Sequence, residues 1–111
     1  MNRFISYDIR PCASFGFADG SEYTESFVTT KDRDEQVQDT LDNHYPSPTY
    51  HSTFWSLYGR YKQEGYKPLF AMSIGDYNTI EAALEIYCRI TGYDKSVFVI
   101  DPTSSMEGLP A

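Results

Sequence analysis

Apolar and polar positions alternate at the start of the chain. From Arg3 to Ile9, Ile5, Tyr7 and Ile9 take every second place, the period of a strand with one face against a core. Pro11 is expected to end or interrupt it. Cys12 to Ala18 repeats the pattern with Ala13, Phe15 and Phe17. Asp19-Gly20 then supplies a tight hairpin turn, and Glu22 to Thr29 returns as a third strand. At Thr30 the period changes. Thr30 or Asp32 is placed to cap a helix running to about Asn43, with a narrow apolar stripe of Val37 and Leu41. The prolines of Tyr45-Pro46-Ser47-Pro48-Thr49 impose a loop.

Beyond the loop, Ser52 is a candidate cap. Phe54, Leu57, Tyr58 and Tyr61 fall at i, i+3, i+4 and i+7, the stripe of a second helix that Gly65 would stop. Pro68 to Ile74 is nearly continuously apolar and suits a central strand. Asp76 or Asn78 would cap a third helix, with Ile80, Ala83, Leu84, Tyr87 and Ile90 or Thr91 inward and Gly92 as terminator. Ser96 to Ile100, rich in β-formers, reads as the last strand. The Ser-, Pro- and Gly-rich stretch after Pro102 reads as a frayed tail. The expectation is an α+β fold of order βββααβαβ. It has a mixed, mostly antiparallel sheet of four or five strands with about three helices on one face. Residues 1–101 would form one domain and 102–111 a flexible C-terminal tail.

Length agrees with one domain, since 111 residues suffice for a core without disulfide staples. The ten Tyr exceed what a small core hides, so several should reach the surface. Cys12 and Cys88 lie far apart, without a CxxC partner, and are read as free thiols. The N-terminal run is too short and polar for a signal peptide, and no stretch has the length of a membrane span. A cytoplasmic protein is expected, one that does not bind membranes.

Charge changes the picture most. The formal net charge is −7, and between Asp19 and Asp42 eight acids face only two bases, Lys31 and Arg33. Such a balance repels nucleic acid and favours basic partners. On the first expected helix, Asp32, Glu35, Asp39 and Asp42 fall within an arc of roughly 80°, with Val37 and Leu41 almost opposite. Successive acids rise by about 4.5 to 6 Å along the axis. That is comparable with the ~3.4 Å advance of phosphates along a DNA strand. The row could therefore enter a phosphate-binding groove. It could equally be a solvated helix face, and no Asp-x-Asp-x-Asp-Gly loop argues for cation binding.

A second constellation is aromatic. Tyr45, Tyr50, Phe54, Trp55, Tyr58, Tyr61 and Tyr66 lie near His44, His51, Arg60, Lys62 and Lys67. Helical spacing sends Phe54, Tyr58 and Tyr61 inward and leaves Tyr45, Tyr50 and Trp55 as exposed anchors for a protein interface or for stacked bases. His44 and His51 lack zinc-ligand spacing, and no serine or cysteine sits in a nucleophile motif. No phosphate cradle or metalloprotease signature is present. The chain is thus read as non-enzymatic, with no catalytic residue, metal or cofactor.

The acidic row, the Tyr-rich body and the lack of a catalytic signature resemble, in general character, small phage or mobile-element anti-defence proteins of the anti-CRISPR and antirestriction type. The resemblance implies an inhibitor that binds the basic surface of a nucleic-acid-binding defence complex in a host bacterial cytoplasm and occludes its DNA site. No residue roles carry over, because such inhibitors share no motif. On the residues alone, Asp32, Glu35, Asp39, Asp42, Tyr45, Tyr50 and Trp55 are the candidate partner-binding set. The alternative is a single-stranded nucleic-acid or small-ligand module built on the segment from His44 to Lys67.

Overall fold

The computed structural model describes residues 4–61 and 70–111. Its elements run β1 (Ser6–Gly16), β2 (Glu22–Ser26), α1 (Thr30–Asn43), β3 (Tyr50–Tyr61), β4 (Phe70–Tyr77), α2 (Ile80–Thr91), a 3-10 turn (Lys95–Val97) and β5 (Met106–Pro110). The fold is α+β. Among the described residues, five strands form one sheet in the order β2-β1-β3-β4, with β5 also paired to β1, and every pairing is antiparallel.

The sheet is organised by β1. One of its edges pairs with β3 from Ser6↔Arg60 to Gly16↔Tyr50. Its other edge is shared: β5 takes Ser6 to Ile9 and β2 takes Cys12 to Gly16. Pro11 therefore does not end the strand, contrary to expectation. Its carbonyl accepts from the Phe27 N–H at 2.8 Å, so its backbone faces the seam between β5 and β2. A missing N–H costs no ladder bond there. The expected hairpin is present. Gly20 takes φ 86°, its N–H reaches the Phe17 carbonyl at 3.0 Å, and Asp19 accepts from the Ser21 N–H.

Both helices lie on one face of the sheet. Tyr7, Ile9, Ala13 and Phe15, all odd positions of β1, are buried on that face, whereas Ile5 is 52% exposed just before the strand. Tyr7 and Ile9 join Trp55, Leu57, Leu109 and the buried α2 residues Ile80, Ala83, Leu84 and Tyr87 in the main core. Ala13 and Phe15 meet Val37 of α1 in a smaller cluster, flanked by Phe17, Phe27 and Leu41. The α2 stripe and its Gly92 stop, at φ 83°, are as expected, but Ile90 is exposed. The caps differ by one position or more. Thr29, not Thr30 or Asp32, accepts from the Asp32 N–H at 3.1 Å, and Thr79, not Asp76 or Asn78, accepts from the Ala82 N–H at 3.1 Å.

Three elements depart from expectation. The segment read as a helix from Ser52 is strand β3, so the described residues hold two α-helices rather than the three expected. The proposed stop at Gly65 lies outside the described residues. The run from Pro68, itself outside them at residues 68 and 69, becomes β4 and sits at the sheet edge rather than its centre. Ser96 to Ile100 forms no ladder. Phe98 and Ile100 pack on the core while Val97, the end of the 3-10 turn, and Val99 stay exposed.

The stretch expected as a frayed tail is built in. The N–H groups of Thr30 and Ser105 bond the carbonyls of Thr103 and Val28, at 3.0 and 2.7 Å, and β5 follows with Leu109 buried. Cys12 and Cys88 are free thiols, Cys12 buried and Cys88 half-buried. No described helix is long and apolar enough to cross a membrane.

Candidate functional site

The change from helix to strand inverts residues 54–58. In β3, Trp55 and Leu57 point to the helix-covered face and Phe54, Tyr58 and Arg60 to the other. Trp55, expected as an exposed anchor, is 6% exposed within the main core and is no surface group. Phe54 and Tyr58, expected inside, occupy the sheet face on which no described helix packs. The Tyr58 phenol lies 3.5 Å from the Cys12 thiol, and burial, then that contact, pushes it up to about 12.

The acidic row exists as surface. Asp32, Glu35, Asp39 and Asp42 are all exposed on α1, while Val37 and Leu41 hold the helix to β1. The carboxylates are lightly engaged. Glu35 has Lys31 at 4.0 Å, Asp39 accepts from the Asn43 amide at 2.8 Å, and Asp42 accepts from the Gln38 amide at 2.9 Å. No basic residue occupies the last turn of α1. A helix C-terminus carries partial negative charge, so Asp42 in that turn opposes the macrodipole. Tyr45 follows at once and is 95% exposed.

Tyr50 is not part of the row. Gly16 and Tyr50 are register partners on the helix-free face, and the Tyr50 ring lies so close over Gly16 that a Cβ there would sit 1.9 Å from it. The phenol donates to Glu22 at 2.6 Å, and this bond, then burial, raises its pKa. Here the sheet carries a cleft of about 510 Å³, lined in part by Ser14, Glu22, Thr24, Tyr50, Ser52, Phe54 and Asp76. Sequence reasoning missed this cleft. The signal that would have found it is the alternation of Tyr50, Ser52, Phe54, Ser56 and Tyr58.

Toward the other end of the same face, Asp8 is buried and accepts from Arg60 and from the Gly108 N–H at 2.9 Å, while Arg10 pairs with Glu107. The cations there are held by carboxylates.

Compared with protein-family models, curated proteins and solved structures, the chain matches none of them. Its function must therefore be argued from its own surface.

His44 and His51 are both exposed. His44 caps the end of α1, with its Nδ1 2.8 Å from the Pro46 carbonyl and its ring against Phe17, whereas His51 stands in β3 opposite Phe15. Among the described residues, no group of three or more His, Cys, Asp or Glu side chains is placed to hold a metal ion.

Proposed function

We propose that this chain is a non-enzymatic inhibitor of the anti-CRISPR or antirestriction kind. It binds the basic surface of a nucleic-acid-binding defence complex through the exposed face of α1 and occludes the DNA site. The observation that carries the reading is the row of Asp32, Glu35, Asp39 and Asp42, exposed along one side of α1, with an exposed Tyr45 two residues past the helix end. One of these acids, Asp42, stands in the last turn, where it weakens the helix by about 0.3–1 kcal/mol. A row serving solubility alone has no need of that position. The carboxylates engage Lys and Arg that would otherwise meet phosphates, and Tyr45 adds an amphipathic anchor at one end. Electrostatic capture of this kind weakens with salt and competes with DNA. The alternative of a base-stacking module loses Trp55, which is buried.

The test is capture of a partner from bacterial lysate by the full chain carrying Glu35→Lys with Asp39→Lys. A control carries Glu81→Lys with Glu85→Lys, the same change of net charge on α2. The reading expects the α1 pair to abolish capture and the α2 pair to keep it. Equal losses would reduce the row to general acidity and sink the reading.

A further inference from the structure

Strand β2 forms one edge of the sheet, and among the described residues no strand lies beyond it. Its backbone faces two ways in turn. The Phe27 N–H donates to the Pro11 carbonyl, and the Ser21 carbonyl accepts from the Phe17 N–H, so these odd-numbered residues turn toward β1. The register between them, from Gly16↔Glu22 to Cys12↔Ser26, runs without a shift. In an antiparallel strand both backbone groups of a residue point the same way, and the direction alternates along the chain. The N–H and C=O groups of Glu22, Thr24 and Ser26 therefore point outward. All residues of β2 are exposed except the half-buried Glu25. An edge of this kind is a template for pairing with another strand.

A groove of about 320 Å³ runs between this edge strand and α1. Tyr23 and Glu25 line it from β2, and Gln36, Thr40 and His44, spaced four apart along one side of α1, line it from the helix. The Tyr23 ring stacks on buried Phe15, with centroids 6.5 Å apart, and gives the groove an apolar middle. Glu25 accepts from the Tyr23 phenol at 3.1 Å through Oε2, which leaves Oε1 able to accept. No Lys or Arg is among the described lining residues. Side chains of paired strands share a face with those opposite them. A strand laid against β2 would thus put the residue opposite Tyr23 into the groove and the residue opposite Glu25 beside that carboxylate. The residue opposite Glu22 would meet a second carboxylate on the other face.

We propose that the outer edge of β2 takes up an extended, basic segment of another protein as an added strand, with an apolar side chain in the groove and cationic side chains beside Glu22 and Glu25. The backbone groups of Glu22, Thr24 and Ser26 supply the pairing. The groove and the two separate carboxylates supply the choice of sequence. A second copy of this chain is the wrong occupant, because it would gather the Glu22 and Glu25 carboxylates of both edges. The docking needs no contact with the acidic row of α1 and does not rest on the inhibitor reading.

The experiment is a titration of the isotopically labelled full chain with the capped peptide Thr-Lys-Thr-Leu-Lys, followed by amide chemical shifts. Paired antiparallel, its residues lie opposite Ser26, Glu25, Thr24, Tyr23 and Glu22 in that order. The proposal expects saturable shifts from Glu22 to Ser26 and at Thr40 and His44, and none on β4. N-methylation of the first, third and fifth peptide residues removes the N–H groups that face β2 and should abolish the shifts. N-methylation of the second and fourth should preserve them. A peptide with Glu in place of both Lys should not bind. Thr24→Pro removes an outward N–H without touching the β1 ladder and should weaken binding about tenfold. Glu25→Lys should also weaken it, and keeps the proposal testable if the proline variant fails to fold. Glu35→Lys with Asp39→Lys should leave the pattern of shifts unchanged, so failure here and failure of the α1 reading remain distinguishable. Absence of shifts with the unmethylated peptide, equal losses from the two methylation patterns, or equal shifts with the Glu peptide would overturn the proposal. So would β2 shifts that follow protein concentration alone, which would assign the edge to a second copy.

Discussion

Trp55 and Phe54 are adjacent, and the period of the backbone alone decides which is inside. In β3 it is Trp55, so Trp55→Ala should destabilise the protein by about 3–5 kcal/mol in denaturant unfolding. Phe54→Ala, on the helix-free face, should cost clearly less. The opposite ranking would contradict the strand. A second test at this scale is alkaline. Burial pushes the phenols of Tyr58 and Tyr87 up to about 12, and Tyr87 donates to the Pro110 carbonyl. An unfolded tyrosine ionises near pH 10, so above that pH the unfolded chain releases protons before the folded one does. Stability from these two groups is complete below about pH 10 and falls as pH rises toward about 12. Tyr87→Phe should flatten that fall in pH-dependent unfolding curves, at the expense of about 1 kcal/mol at neutral pH for the lost hydrogen bond. An unchanged alkaline slope would contradict the assignment.

The elements differ in how they are anchored. Four buried residues fix α2, whereas α1 buries Val37 alone, with Leu41 half-covered. Helix α1 is thus a lightly held carrier of charge, and its last turn shows a conflict between stability and the proposed binding. Asp42→Lys should raise the melting temperature modestly, because a cation suits a helix C-terminus, while weakening partner capture. If Asp42→Lys lowers stability, the dipole argument fails. The last strand gives a sharper contrast. Removing residues 106–111 deletes Leu109 from the core and takes the Gly108 N–H from buried Asp8. A loss of several kcal/mol is expected on thermal or chemical unfolding; a tail would give none.

These elements also show what the sequence could carry. The β1–β2 hairpin, α1 and α2 were legible because their signals are local: an Asp-Gly turn, a 3.6-residue stripe, a Gly stop. Residues 54–61 satisfy a helical stripe and a strand alternation together, and only the long ladder with β1 decides between them. The pairing of β5 with β1 joins residues about a hundred positions apart, so no local pattern announces it. The acidic row was legible as a row. The cleft was not, since it is made by strands that meet only in the folded sheet.

At the scale of the whole molecule, the protein is a slab measuring 44 × 36 × 20 Å, one sheet with one layer of helices. This architecture separates two surfaces. The outer side of α1 presents carboxylates and Tyr45, and the bare sheet face presents a polar, aromatic cleft. The described residues of both surfaces carry carboxylates, in keeping with a net charge of −7. They are set apart by the thickness of the slab.

The measurement that tests the central claim most directly is affinity capture from bacterial lysate with the full chain, repeated with excess duplex DNA and with raised salt. The account predicts that a nucleic-acid-binding complex is retained and that both DNA and salt release it. Retention of a partner that neither DNA nor salt displaces, or retention of none, would contradict it.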